Sequence, residues 1–590
     1  MIPVLPHKQI ESFLQQAVRA VLPGADVSAV LVRPCDPTFG DYQSNALMSV
    51  AKARKMNPRQ LATDVVSKLE VSELCEKVEI AGAGFLNFRL KPEVLNATLQ
   101  SAARGEHLFF GKTSQPRTFV VDFSSPNVAK PMHVGHIRST GIGDSIQRIL
   151  RLLGHQVVSD NHIGDWGTQF GKLLLGWKQI LDRPALERDA IAELERLYKI
   201  INAECDATPS RLEEAKEELV KLQAGDLENM SIWQEMIRLS QVQFDTIYGR
   251  LGAKFDHALG ESFYNPQLGG VVADLLSRGI ARESEGAVGV FSDGSMPPKE
   301  DPFLVNRDGE WVADPALVRK SDGGFNYMTT DLATVDYRIK TWSPHEIVYV
   351  VDDRQSGHFK KLFLTFGRWQ PVVTQRVKLV HVGFGKILGD DGKPFKTRSG
   401  DTVKLSDLLN EAEERAFQVV SEKSTELTEA QRREIARVIG LGAVKYADLL
   451  PNRQSDYIFN WDKMLAFSGN TAPYLQYAYA RIKSIFRKAG DVSPQPSALS
   501  LSEPQELALA KHLLNFGLVL EAAAEDYRPN FICTYLYELA GHFTTFYENC
   551  PVLKPEAAEF KASRLQLCDL TARVLNQGLE VLGIEVVEQM

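Results

Sequence analysis

The chain has 590 residues, a net charge of −8, 44% hydrophobic and 24% charged residues. That length exceeds a single hydrophobic core and predicts about three or four domains, while the acidic balance excludes general polyanion binding and leaves room only for a local basic face. No run reaches the roughly 18 to 20 apolar residues of a membrane span, the start MIPVLPHKQIESFLQQ lacks a basic segment ahead of an apolar one, and the six cysteines form no CxxC, so a cytoplasmic protein without a membrane partner is expected. In chain order, KQIESFLQQAVRAVL predicts an amphipathic helix, followed by the turn-rich PTFGDYQSN, a helix carrying Lys52, Arg54 and Lys55, and strands in VEIAGAGFLNFRL. The basic helix reads on composition as a solvated face. From near Arg117 to about residue 400 a βαβ alternation runs, interrupted by an insertion. Within that insertion, TPSRLEEAKEELVKLQAG is an exposed surface helix with a Thr-Pro start and a Gly stop. EIVYVVDD and VKLVHVGFG are continuous apolar runs of the kind found in buried parallel strands. Beyond about residue 405 the pattern is almost wholly helical, broken by a Ser/Pro-rich loop at GDVSPQPSALSLSEPQ.

The most informative local pattern is SSPNVAKPMHVGHIRST, residues 124–140. RTFVVDFSS before it is a strand, Pro126 and Pro131 keep the chain out of helix until about His133, and Gly154 sits where a helix C-terminal cap belongs, followed by the apolar HQVVS as the next strand. His133 and His136 therefore fall at the first turn of a helix, where free backbone N–H groups and the positive dipole end attract anions; phosphate is the natural ligand. Gly135 between them lets a flat ring such as a purine approach the backbone. An HxxH pair can also bind zinc, but no cysteine lies near it, and by itself the pair also fits two solvated helix residues.

HVGH matches the HxGH signature of class I aminoacyl-tRNA synthetases, and the longer run resembles the arginyl branch of that family. SDGGFNYMTTDLA (321–333), DDRQSGH (352–358), GKPFKTRSGDTVKL (392–405) and NTAPYLQYAYARI (470–482) resemble arginyl segments in the same order, and GDYQSN (40–45) is similar to the branch's extra N-terminal domain. The resemblance implies an α/β fold: an N-terminal tRNA-contacting α/β domain (1–115), a Rossmann-type parallel-sheet catalytic core with insertions (116–404), a helical connecting region (405–460) and an α-helical anticodon-binding domain (461–590). It also implies a cytoplasmic monomer that uses ATP with Mg2+ to activate L-arginine and then transfers the arginyl group to the terminal ribose of tRNA(Arg).

Further roles follow from the resemblance. Charge builds on the α-phosphorus as the carboxylate attacks, so fixed positive groups are needed, and His133, His136 and the helix N-terminus are expected to supply them, with Pro126 and Gly135 beside the nucleotide. The family loop written KMSKS is altered here. Thr397 stands at its second lysine, with Lys396 and Arg398 as neighbouring cations, and Lys130 is in position to replace the missing charge. Arginine presents a planar fork of five donors suited to paired carboxylates. Asp122 and Asp331 are the expected acceptors, Tyr327 lines the pocket, and Asn127 and Gln355 face the α-amino and carboxylate end. A site built for the fork rejects lysine strongly, so no editing domain is expected.

In NTAPYLQYAYARIKSIFRK, Tyr474, Tyr477 and Tyr479 interleave with Arg481, Lys483, Arg487 and Lys488, a pattern that suits unstacked anticodon bases, with Tyr474, Tyr477 and Arg481 the expected contacts; by composition alone this helix reads as core. Three rival readings are a shorter HxGH nucleotidyl transferase, a catalytically inactive RNA-binding relative, and a synthetase for another amino acid. If Lys130 serves the phosphates, Lys130→Ala should slow adenylate formation on the order of 100- to 1000-fold in arginine-dependent exchange of pyrophosphate into ATP; a near-normal rate would remove it from that role.

Overall fold

A computed structural model describes residues 5–395, 403–490, 499–555 and 557–590. The chain divides into two compact units, Ser114–Leu465 on the one hand and Met1–Thr113 with Ala466–Met590 on the other. The connecting helices after residue 405 thus belong to the same unit as the sheet, and the N-terminal and C-terminal regions share one unit.

The first unit is organised by a four-stranded sheet, spatially ordered Lys378–His381, Glu346–Val350, Thr118–Phe123 and Gln156–Asp160, with every neighbour parallel. The sequence expectations for all four strands hold because these segments are rich in β-branched residues and closed off by helices. Register places His381, Tyr349, Asp122 and Asp160 in one row across the C-terminal edge, the edge at which ligands bind in open parallel sheets. Helix Gly135–Leu152 follows the first strand, and Gly154 turns the chain with φ of 87°. The insertion contains helices Ala190–Ala207, Pro209–Gln223 and Leu227–Leu251. Helix Pro209–Gln223 is less exposed than expected: Ala215, Glu218 and Leu222 are buried. A second insertion adds a three-stranded antiparallel sheet and the hairpin Leu304–Arg307 with Glu310–Ala313, which period-2 reading overlooked because the strands are short.

Beneath the sheet edge lies a buried ionic triad. The Arg338 guanidinium, fully enclosed, donates to Asp122 Oδ2 at 2.7 Å and Asp160 Oδ2 at 2.8 Å and sits 5.4 Å from the Tyr349 ring centre. Arg338 belongs to helix Tyr327–Trp342, so the pairing fixes that helix against two strand ends.

The second unit joins an N-terminal mixed domain, with sheet order Arg33–Pro34, Tyr42–Ser44, Phe85–Leu90, Cys75–Ala81, to C-terminal helices. Lys511 pairs with Asp41 and Lys8 with Glu521, each at 2.7 Å, and Gly517 lies so close to Phe109 that a Cβ there would stand 2.2 Å from its carbonyl oxygen. One stretch does meet the length and hydropathy of a membrane span, Pro504–Asp526, contrary to the sequence expectation. It forms two helices that break at Asn515, and half of its apolar window is buried in the protein.

Replacing Arg338 by methionine should leave two buried carboxylates uncompensated and cost about 3–5 kcal/mol, read as a lower urea midpoint of the sheet-containing unit. A variant within about 1 kcal/mol of the parent would show that the triad does not hold the edge.

Candidate active site

The loop between the first strand and helix Gly135–Leu152 is held in an unusual path. Ser124, Ser125 and Ala129 have φ of 76°, 48° and 61°, a region that costs non-glycine residues energy unless the surroundings impose it. The surroundings do: Ser139 Oγ accepts from the Ser124 N–H at 2.8 Å, Asn161 Oδ1 from the Ser125 N–H at 3.0 Å, and Ser240 Oγ from the Ala129 N–H at 2.9 Å. The buried Pro126 carbonyl accepts from Gly164, and Val128 donates to the Gly164 carbonyl, each at 3.0 Å. Asn127 is exposed, and its Oδ1 fills the place of a Gly164 Cβ, which would stand 2.2 Å away.

At the helix start the two histidine rings lie 4.0 Å apart. The His133 N–H donates to His136 Nδ1 at 3.0 Å, and the Gly135 N–H donates to His133 Nδ1 at 3.1 Å. Accepting at Nδ1 assigns the proton of each neutral ring to Nε2. Loss of water lowers the pKa of both rings, aided by Arg354 for His133 and by His133 for His136, which falls to about 3. The expectation that these histidines act as fixed positive charges is therefore corrected: at neutral pH the unliganded protein presents two neutral N–H donors. Gly135 also has a different reason to be glycine. A Cβ would stand 2.9 Å from the His133 ring, so the flat ring packed over its backbone is the neighbouring imidazole.

The arginine candidates separate into two groups. Asp331 accepts from His358 Nε2 at 2.6 Å, and the Tyr327 ring meets His358 edge-on at 4.9 Å while remaining 60% exposed. Gln355 is exposed at the end of the turn Asp353–Gln355. Tyr327, Gln355 and His358, but not Asp331, line a cavity of about 620 Å³. Asp122 is the exception, since it is buried on Arg338 and accepts from Ser125 Oγ at 3.1 Å. Its expected contact with a substrate guanidinium is corrected, because its charge is already met.

The sequence reading overlooked Glu261. It begins a short turn, Glu261–Tyr264, whose first N–H donates to Ile163 at 3.1 Å. Burial raises its pKa to about 7, with Asp331 and Asp165 adding repulsion against the partial relief from His162. Asp165 is satisfied by the Ser262 N–H and Oγ at 2.8 and 2.6 Å. Asp331 thus contributes, behind burial, to holding the Glu261 carboxyl protonated to a higher pH. No periodicity or spacing in GESFYNPQ marks it.

Lys130 is exposed, its ammonium 5.2 Å from the Tyr198 ring centre. Lys396, Thr397 and Arg398 lie outside the described residues. In the other unit, Tyr477 is 45% exposed, Tyr474 leans on Tyr537 at 5.8 Å, and the Arg481 guanidinium is 4.4 Å from the Tyr547 ring centre. Tyr479, by contrast, is buried.

A parallel sheet with an HxGH helix start at its C-terminal edge is the core of a class I aminoacyl-tRNA synthetase, and residues 98–461 match the family described as "tRNA synthetases class I (R), catalytic domain". Residues 8–90 match the arginyl tRNA synthetase N-terminal domain and residues 475–590 the DALR anticodon binding domain. An arginine–tRNA ligase of Chromobacterium violaceum is 46% identical, covering 99% of this chain and all of its own. Among solved structures, the arginyl-tRNA synthetase of Plasmodium falciparum superposes with a TM-score of 0.80 at 29% identity, covering 99% of both chains. That of Thermus thermophilus gives 0.81 at 25%, covering 99% of this chain and 100% of its own. The chain belongs to the arginyl-tRNA synthetase family and is an ATP-dependent ligase.

If Glu261 must ionise to meet a guanidinium, its raised pKa sets the sign: arginine affinity should rise about tenfold between about pH 6 and about pH 8, with a proton released on binding at the lower pH. Calorimetry in buffers of different ionisation enthalpy measures both. Glu261→Gln should bind more weakly and lose the slope; an unchanged slope would assign the titration elsewhere.

Proposed function

We propose that this chain joins L-arginine to tRNA(Arg) through an arginyl adenylate, with the guanidinium held between Asp331 and Glu261 and the nucleotide over the His133 and His136 helix start. The raised pKa of Glu261, to which Asp331 contributes, carries this reading. Two carboxylates that repel each other in a partly buried place are stabilised by a cation between them, and a planar fork of donors satisfies both where a lysine ammonium offers a point charge. Tyr327 forms a wall of the arginine site, and Asn127 and Gln355, exposed on either side, face the α-amino and carboxylate end.

In the first step a carboxylate oxygen of arginine bonds to the α-phosphorus and the bond to the bridging oxygen breaks, its electron pair leaving on pyrophosphate. The neutral Nε2–H groups of His133 and His136 donate to phosphate oxygens, together with the helix N-terminus. Pro126 and Gly135 shape the nucleotide's approach. Lys130, Lys396 and Arg398 supply positive charge, and Thr397 lies alongside. Mg2+ arrives with ATP, held by phosphate oxygens and water. In the second step the arginyl group passes to the terminal ribose of tRNA, while Tyr474, Tyr477 and Arg481 meet anticodon bases and the exposed Lys52, Arg54 and Lys55 of the N-terminal domain meet the tRNA body. In this reading the enzyme works as a monomer in the cytoplasm, in keeping with its six free cysteines.

Exchange of labelled pyrophosphate into ATP tests the reading. Exchange should require arginine, should not occur with lysine, and should fall on the order of 100-fold or more in His136→Ala. The resemblance to the arginyl branch adds that it should require tRNA. Binding of tRNA without exchange under either condition would favour an RNA-binding role instead.

A further inference from the structure

We infer that Lys404 is a catalytic residue of adenylate formation, a cation that moves from the insertion helix Ala190–Ala207 onto the departing phosphates beside His133. The proposal rests on the reading of the His133 face as the phosphate side.

The backbone fixes the placement. Residues 403–405 pair antiparallel with residues 132–134: the Val134 N–H donates to the Val403 carbonyl and the Leu405 N–H to the Met132 carbonyl, each at 2.9 Å, with Lys404 directly opposite His133. Bonds made only by the flanking residues define a non-hydrogen-bonded pair, in which opposing side chains leave the same face and lie closest together. The Lys404 side chain therefore starts out beside the His133 imidazole, whose free Nε2–H is the donor offered to phosphate.

The present partner of Lys404 is weak and shared. Its ammonium is 3.4 Å from Glu195 and the side chain is 40% exposed, while Glu195 also pairs with Lys199 at 2.8 Å. Loss of Lys404 would leave Glu195 paired. Arg354, the cation whose charge lowers the His133 pKa, is committed by two side-chain hydrogen bonds to Asp352 at 2.9 and 2.8 Å. Tyr198, on which the Lys130 ammonium rests, lies one turn beyond Glu195 on the same helix, and residues three apart share a face. One face of the insertion helix thus holds both lysines that flank the signature histidines. An exposed ion pair contributes little, and contact with a multiply charged phosphate outweighs it. As the bond to the α-phosphorus breaks, negative charge accumulates on pyrophosphate, and that is where an arriving ammonium lowers the barrier.

The test compares Lys404→Ala, Lys404→Arg and the parent in arginine- and tRNA-dependent exchange of pyrophosphate into ATP, with arginine affinity measured separately by calorimetry. Lys404→Ala should lower exchange on the order of 100-fold and raise the pyrophosphate concentration needed for half-maximal exchange, while arginine affinity stays the same. Lys404→Arg, which restores the charge, should recover the rate to within about tenfold of the parent. Exchange by Lys404→Ala within about threefold of the parent would overturn the proposal, as would a fall in arginine affinity matching the fall in exchange, which marks a structural role. If the parent itself fails to exchange with arginine and tRNA present, the reading of the site falls and this proposal with it. A parent that exchanges beside an unaffected variant removes Lys404 alone.

Discussion

The arrangement of the catalytic unit depends on one charge balance, the enclosure of Arg338 between Asp122 and Asp160. Three ionised groups removed from water are costly, and such sets seldom add net stability compared with a well-packed apolar core. What they impose is geometry. Asp122 and Asp160 stand in register on adjacent strands, so the guanidinium has one position in which both carboxylates are met. The helix bearing Arg338 can then neither slide nor rotate without leaving a buried charge unpaired. That helix also bears Tyr327 and Asp331, the residues proposed to hold arginine, and holding a substrate in line with a reacting phosphate requires such fixed placement.

A second internal arginine does the same for the signature helix. Arg138, in the first turns of the signature helix, is buried against Asp448 at 3.3 Å and donates to the Ser455 carbonyl at 3.2 Å. Asp448 lies on helix Glu429–Leu449, and residues 457–458 pair with Ile387–Leu388 ahead of the signature loop. The histidines, the connecting helices and the chain on both sides of residues 396–402 are therefore mechanically joined. The pairing of His133 with Lys404 adds one more link between the signature helix and the chain after residue 402.

The sequence made the frame legible because the frame is periodic. Apolar β-branched runs gave the four strands, and proline and glycine punctuation gave the start and end of the signature helix. It was less informative where side chains choose among partners. Asp122 had the residue type and strand-end position of a substrate acceptor, yet its partner came from residue 338, far along the chain and on another helix. Glu261 was invisible for the converse reason: its raised pKa comes from burial and from Asp331 and Asp165, none of which lies near it in sequence. The histidines were correctly placed and wrongly charged, because hydration, which decides their protonation, is a property of the folded surroundings.

Neutral histidines and a reluctant carboxylate share one logic. Full charges kept ready in an empty, partly dehydrated site would be costly and would attract counter-ions indiscriminately. Here the unliganded site limits that cost. His133 and His136 offer N–H groups without a net charge, Glu261 is about half protonated near neutrality, and the flanking lysines rest on Tyr198 and Glu195. Each substrate then supplies the field that completes the other half. In the proposed reading a guanidinium favours the ionised form of Glu261, whose proton leaves to solvent, and phosphates attract the ammonium groups. A lysine substrate brings the same charge but only a point of contact, so it cannot satisfy two carboxylates at once.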